Sequence, residues 1–595
     1  MTGPRGRRRY SRRWFLGALG ATAGAAGLAA LGCDDTEEPV LPDITPEPTD
    51  EPEEPHPTYP STPAPDPTRP SQTSRQGGTL RYAAAFSSDG LFDPHTTTSA
   101  ALLGQQSLIY SRLLTYESQV DGELAPDLAA GMPEQPDELT YVFTVNPEAR
   151  WQDTEPLNGR AVTAEDVLGS IERQRLGRAQ DFPRKGRWDQ ITSVEAPDGE
   201  TVVARTAEPF AGTLARFASP EGFVIPPELE GDLSSTLQAG SGPFRWIEWS
   251  EGSHASVARN DGWYGPDEGP FLDGISTVPP RSLDELEADF RTRELDAVEA
   301  GFLQAQEIKR RLPDLREVRS AVARFYGMRF LSAAPPYDDP RLRKAITVAI
   351  DRREMLERFF HDSGTLNPWI SAAVQQWSLP QTELQRQPGY RPGDGGRDLD
   401  LRDALEALNA YLEEQELPEP MELFVTANLE ETLNMGGLIA SQLRETLGLS
   451  VQVNRVGLEE LALRLSEGEA PWAVGVDNGW IELDDWLYPY FHTNGAGNTF
   501  VLRDEEMDAM LEAQRAEMSS ERRQQIGYDA QRRLLELNVG ANFVSEDVIT
   551  LFWPYVQLFP VDAGEAYQDR FAKTWIDRTH PSYLQAAGGA PTQAL

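Results

Sequence analysis

The side chains best able to do chemistry in this chain are scattered. Cys33 is the one cysteine, and the six histidines are His56, His95, His254, His361, His492 and His580. No two histidines share a metal-ligand spacing, and there is no His-Glu-x-x-His pattern for zinc. A Gly-x-Ser-x-Gly elbow is absent, and so is a phosphate-binding P-loop. No cofactor and no metal is therefore expected, and any ATP hydrolysis would fall to a partner. What the chain does offer is tryptophan, which fills a core or presents flat apolar surface. Trp369, Trp377, Trp472, Trp480 and Trp486 are five of its thirteen tryptophans. Such rings stack on sugars, peptide side chains or other flat ligands with little loss of entropy. That is the chemistry of binding, not of bond breaking.

The N-terminal residues carry an address. Ser11-Arg12-Arg13-Trp14-Phe15-Leu16 forms a twin-arginine export signal, preceded by Arg5, Arg7, Arg8 and Arg9. Trp14 to Leu31 is apolar or small, and Gly17, Gly20, Gly24 and Gly27 make it a poor helix by propensity. Ala30-Leu31-Gly32-Cys33 resembles the lipobox of lipoproteins, departing from it at Ala30, where Leu is usual. Residues 1–32 are expected to be a twin-arginine lipoprotein signal, and Cys33 a lipid anchor on the outer face of the cytoplasmic membrane. Two acyl chains anchor stably where one does not.

Composition narrows the partners. The formal net charge is −41 over 595 residues, so nucleic acid, whose phosphates would be repelled, is excluded as a partner. Basic charge is almost all arginine, with Lys185, Lys309, Lys344 and Lys573 the four lysines. Adaptation to high salt and a GC-rich genome both fit that bias. With no second cysteine, no internal disulfide can form, and stability must come from burial.

The order of elements implies an α/β protein of more than one domain. Residues 33–77 are rich in Pro, Glu, Asp, Ser and Thr and too poor in apolar side chains to fold. Extended at about 3 Å per residue, such a linker would hold the rest on the order of 100 Å from a bilayer. Strands are expected over Thr79 to Ala85 and Leu139 to Val145, and a hairpin over Ile191 to Thr206. Thr163 with Asp166 opens a helix as a capping box. Asp339 and Pro340 open another as N-cap and first-turn proline. Leu423 to Ala427, Leu438 to Leu447, Val451 to Val453, Leu458 to Leu465 and Trp472 to Val476 alternate strand and helix, which implies parallel strands. A helix near Ser520 to Leu537 precedes one further strand, Ala541 to Trp553.

Several blocks, taken in order, resemble the family 5 solute-binding proteins, the peptide- and nickel-type receptors of ABC importers. They are Ile109-Tyr110-Ser111-Arg112-Leu113-Leu114-Thr115-Tyr116, Glu123-Leu124-Ala125-Pro126-Asp127-Leu128-Ala129, Gly240-Ser241-Gly242-Pro243-Phe244 and Ala349-Ile350-Asp351-Arg352. The resemblance runs from Gly78 to Ile576. It implies a two-lobed periplasmic-binding-protein-like fold (type II, cluster C) with an extra subdomain in the first lobe and a two-strand hinge. Lobe I would then be 78–324, lobe II 325–540, and 541–595 would return to lobe I. The hinge strands would lie near Ala323 to Phe330 and Ala541 to Leu551.

The same resemblance implies the ligand positions. After the turn Asp93-Pro94-His95, Thr98 and Ala100 would reach ligand. In peptide-binding relatives an Asp shortly after a Gly-Trp pair holds the peptide amino group. Here Gly479-Trp480-Ile481-Glu482-Leu483-Asp484-Asp485-Trp486 aligns in two ways, which put that Asp on Leu483 or on Gly479. Asp477, Glu482 and Asp484 are the candidate carboxylates, with Trp480 and Trp377 as aromatic contacts. No Arg precedes Gly479 where some relatives bind a carboxylate. The expected function is a monomeric, lipid-anchored receptor that hands a peptide or related small ligand to an ABC permease and ATPase. An oligosaccharide receptor is the alternative within the fold, and an extracellular peptidase the alternative outside it.

Overall fold

The computed structural model describes residues 75–587 apart from 85–91, 98, 234–236, 238, 266–268, 428, 478, 500 and 561–566. The export signal, Cys33, nearly all of the linker and Thr98 lie outside the described residues. No described helix is long and apolar enough to cross a membrane.

Three sheets organise the chain. The first runs in the order Arg316–Ala321, Val544–Phe552, Ala297–Ala300, Thr79–Ala83, Gly274–Val278, His254–Arg259, Phe244–Ser250, with Gly364–Leu366 added against Val544–Phe552. Thr79–Ala83 is parallel to both of its neighbours. Leu80, Ile275, Val298, Ile549 and Leu551 are buried in one core with Leu286 and Phe290 of helix Leu283–Thr292.

The second sheet runs Val451–Val456, Met421–Thr426, Trp472–Asp477, Phe325–Phe330, Gly540–Asn542. Met421–Thr426 is parallel to both neighbours, as the alternation of strand and helix requires. Asp339 caps helix Pro340–Ala349 by accepting from the Arg341 N–H at 2.8 Å. That helix buries Leu342, Ala345, Ile346 and Ala349 in the core.

The third sheet, Glu134–Asp137, Thr140–Thr144, Thr201–Thr206, Ile191–Glu195, is inserted between strands of the first. Helix Ala164–Leu176 covers it, opened by the Thr163–Asp166 capping box. Its core holds Trp151, Trp188, Tyr141 and Phe143.

The chain passes from the first sheet to the second at 322–324 and returns at Phe543. The two crossings touch: the Phe543 N–H donates to the Tyr326 carbonyl at 2.7 Å, and Ser545 Oγ donates to the Arg324 carbonyl at 2.6 Å. The strand expected over Ala541 to Trp553 is thus two strands, one in each sheet, parted at Phe543. A second difference concerns helix Glu430–Leu447, which begins eight residues before the expected start at Leu438. A Cβ at Gly436 would stand 2.6 Å from Val425 Cγ1, so this glycine lets the helix lie close on its strand.

Candidate functional site

A network of buried charges forms where the inserted sheet meets the second-sheet unit. Its second-sheet side is helix Leu483–Phe491, capped by Glu482, whose carboxylate accepts from the Asp484 N–H at 3.1 Å. Asp484 and Asp485 occupy the first turn, where the helix dipole favours negative charge. From the inserted unit come Arg187 on the short turn Lys185–Trp188, Arg216 on helix Thr213–Ala218 and Glu221 on the turn Pro220–Gly222. Trp188 and Phe217, buried edge to face at 5.7 Å, fix the first two of these elements.

The charges pair across the junction. Asp485 accepts from Arg216 Nη1 at 2.6 Å and, with its other oxygen, from Arg187. Arg515 grips Asp484 through Nε at 2.7 Å and Nη2 at 2.9 Å, and Gln514 donates to the same carboxylate at 2.7 Å. Arg216 Nη2 stands 3.5 Å from Asp484. Arg523 pairs with Glu482 and lies 5.1 Å from the ring centre of Trp377. Arg187 stacks over Trp480 at 4.0 Å. Burial pushes the Asp485 carboxyl up, but Arg187 and Arg216 outweigh it and hold the group below its ordinary range. Glu221 is 1 % exposed, and its Oε1 has no hydrogen-bond partner; Arg187 and Arg216 stand 3.7 and 3.9 Å away. The backbone joins in, since the Ala211 N–H donates to the Arg515 carbonyl at 2.8 Å.

Of the expected ligand positions, Glu482, Asp484 and Trp480 lie at this junction. Glu482 and Asp484 are in the network, but their carboxylates already meet arginines of the chain rather than standing open for an ammonium. Asp477 ends strand Trp472–Asp477, in backbone register with Phe325. Trp480 is half-buried at the junction under Arg187. Trp377, with Trp369 and Trp486, is buried in a core cluster, and Trp472 is buried in the second-sheet core. Ala100 opens helix Ala100–Gln106 and is half-buried. The turn before it is pinned from within. Asp93 pairs with Arg173, and His95, fully buried, reaches the Phe223 carbonyl through Nε2 at 2.8 Å.

Arg187, Arg216, Glu221, Arg515 and Arg523 were not legible in the sequence. Asp485 stood within the aligned segment, yet nothing local marked its partners, which lie 298 and 269 residues away. Among the described residues no group of three or more His, Cys, Asp or Glu is placed to hold a metal ion.

Comparison with known proteins fits this architecture. A family model, bacterial extracellular solute-binding proteins, family 5, matches residues 123–498. The chain belongs to that family of solute-binding proteins. The glutathione-binding protein GsiB of Salmonella typhi is 25% identical over 286 residues, 45% of this chain and 53% of the relative. Matches to such curated relatives span about half of their length. Among solved structures, the periplasmic binding protein DppA of Helicobacter pylori in complex with the peptide STSA superimposes with a TM-score of 0.68 at 20% identity, over 85% of this chain and 99% of that one. AppA of Clostridium difficile, described as a putative peptide binding protein, gives 0.70 at 16% identity, over 84% of this chain and all of that one. These likenesses establish the two-lobed α/β fold.

Proposed function

We propose that this chain is an extracytoplasmic receptor that captures peptides, or related small amino-acid-containing ligands, between its two lobes and delivers them unaltered to an ABC permease and ATPase. The observation that carries the reading is the junction itself: two units joined by two adjacent crossings, with charged side chains from both meeting between them. The peptide class is supported by the names of relatives that bind glutathione or the peptide STSA. With Trp369, Trp377, Trp472 and Trp486 buried, Trp480 is the one of the five tryptophans left to support an oligosaccharide.

In this reading lobe I is 78–324, lobe II is 325–540, and 541–595 returns to lobe I. The crossings at 322–324 and Phe543 act as the hinge, and ligand drives closure only by contacting both sides. Thr98, Ala100, Asp477, Trp480, Glu482 and Asp484 surround the ligand, with Trp377 behind them. Residues 1–32 direct export by the twin-arginine route, Cys33 carries lipid, and 33–77 is a tether for a monomeric receptor. The test is incubation of the exported chain with a defined peptide pool. Saturable binding with every peptide recovered intact supports the receptor; peptide cleavage, or no saturable binding, contradicts it.

A further inference from the structure

Across the junction, Asp485 does what a ligand carboxylate would do. It belongs to one side, yet both of its oxygens are held by arginines of the other, Arg187 and Arg216. The inserted unit on its own carries Arg187 and Arg216 against the acid Glu221, with Arg184 within electrostatic reach of both Glu221 and Asp93. Arg187 and Arg216 also sit on short elements fixed by packed rings, so the pair is pre-positioned for a planar, two-oxygen acceptor. Polar capacity is left over: Arg216 Nε and Glu221 Oε1 are buried without a hydrogen-bond partner. A buried charge needs a partner in every state of the protein. When the two sides part from each other, this arginine pair loses Asp485 and faces water or an incoming anion.

We propose that Arg187 and Arg216 form an anion subsite for the carboxylate of the ligand, and that Asp485 occupies it as a built-in substitute when the two sides are together without ligand. Binding is then an exchange of partners. The incoming carboxylate takes the arginines, and the released Asp485 becomes available, beside Trp480, to a cationic group of the same ligand. No charge is left unpaired on either side of the exchange. The subsite selects ligands with a free carboxylate over their neutral amides. This inference rests on the receptor reading for its biological ligand, but its first test does not.

The test is chemical rescue. Asp485→Ala opens a carboxylate-sized gap on the arginine pair, and acetate is the missing fragment. Acetate, compared with chloride at equal ionic strength, should raise the thermal midpoint of Asp485→Ala by about 3 °C or more and leave the parent chain unmoved. The rise should vanish in Asp485→Ala combined with Arg216→Gln. If Asp485→Ala does not fold alone, acetate-dependent recovery of folded protein is the readout. Equal effects of acetate and chloride, or a rise that survives loss of Arg216, would overturn the subsite. A second arm uses trialanine and its C-terminal amide. The parent chain should bind the acid at least tenfold more tightly, and Arg187→Gln should reduce that ratio below twofold. A parent chain that binds both forms equally also overturns the subsite. A parent chain that binds neither form, together with successful acetate rescue, would contradict the peptide reading and leave the subsite standing.

Discussion

Arg216 Nη1 lies 2.6 Å from Asp485 Oδ1, although 269 residues separate them and each belongs to a different side of the junction. Both side chains are nearly fully buried, at 2 % and 5 % exposure. Removing one member of such a pair leaves the other as an uncompensated buried charge. Arg216→Ala, which also strips a cation from Asp484, should therefore cost about 3–5 kcal/mol if the junction stays closed. If the junction opens instead, the loss is smaller and the radius of gyration grows. Urea unfolding and solution scattering together separate these outcomes; a variant with unchanged stability and unchanged dimensions would show that the pair holds nothing together.

His95 supplies a pH dependence. Burial drives its pKa down from 6.5 to about 4; Asp93 opposes the shift and Arg173 adds to it. The hydrogen bonds agree with a neutral ring, since Arg173 Nη1 stands 3.0 Å from Nδ1 while Nε2 meets the Phe223 carbonyl. The unfolded chain takes up this proton near 6.5 and the folded chain near 4, so the unfolded state binds more protons in between. Stability from this residue is complete above pH 6.5 and falls as pH drops toward 4, by about 3 kcal/mol in all. Denaturant unfolding of the parent chain and of His95→Gln between pH 4 and 7 should show a slope in the parent that is reduced in the variant. Identical slopes would contradict the neutral assignment.

Gly479 explains why the segment before Trp480 needs a residue without a side chain. A Cβ there would stand 2.3 Å from the carbonyl oxygen of Ala323, in the crossing between the sheets. Backbone cannot swing aside as a flexible side chain can. Gly479→Ala should cost about 1–3 kcal/mol, read from the shift of the urea midpoint. A neutral substitution would mean that the crossing yields easily.

The twin arginines and Cys33 can be altered separately. Arg12→Lys with Arg13→Lys should leave precursor in the cytoplasm, and Cys33→Ser should release the exported protein from the membrane fraction. Normal export of the double variant, or membrane retention of the Cys33 variant, would contradict the two assignments separately.

Local signals were the legible ones. Asp339-Pro340 and Thr163 with Asp166 announced their helices because a cap is written in adjacent residues. The parallel strands Met421–Thr426 and Val451–Val456 were legible through the alternation of apolar runs around an intervening helix. The break at Phe543 was not, because an extended strand changes sheets there without any change in its apolar pattern. The early start of helix Glu430–Leu447 was hidden by Gly436 and Gly437, of which Gly436 is needed for its close approach to Val425. At the site, the acidic segment from Glu482 to Asp485 was visible, but its charge partners were not. Nothing in the spacing of Arg187 or Arg216 points to a carboxylate hundreds of residues away. The family resemblance implied a ligand turn near Ala100 and pointed to the Gly479-Trp480 pair. Only the fold revealed that the nearby carboxylates already carry arginine partners.

Capture of a small molecule without its alteration is decided by mass spectrometry of whatever mild unfolding releases from the exported protein, followed by return of that compound to the emptied, refolded chain. A carboxylate-bearing peptide or amino-acid derivative should be released, rebind saturably, one per chain, and be recovered at unchanged mass. A compound recovered with altered mass, or one that fails to rebind, would contradict it.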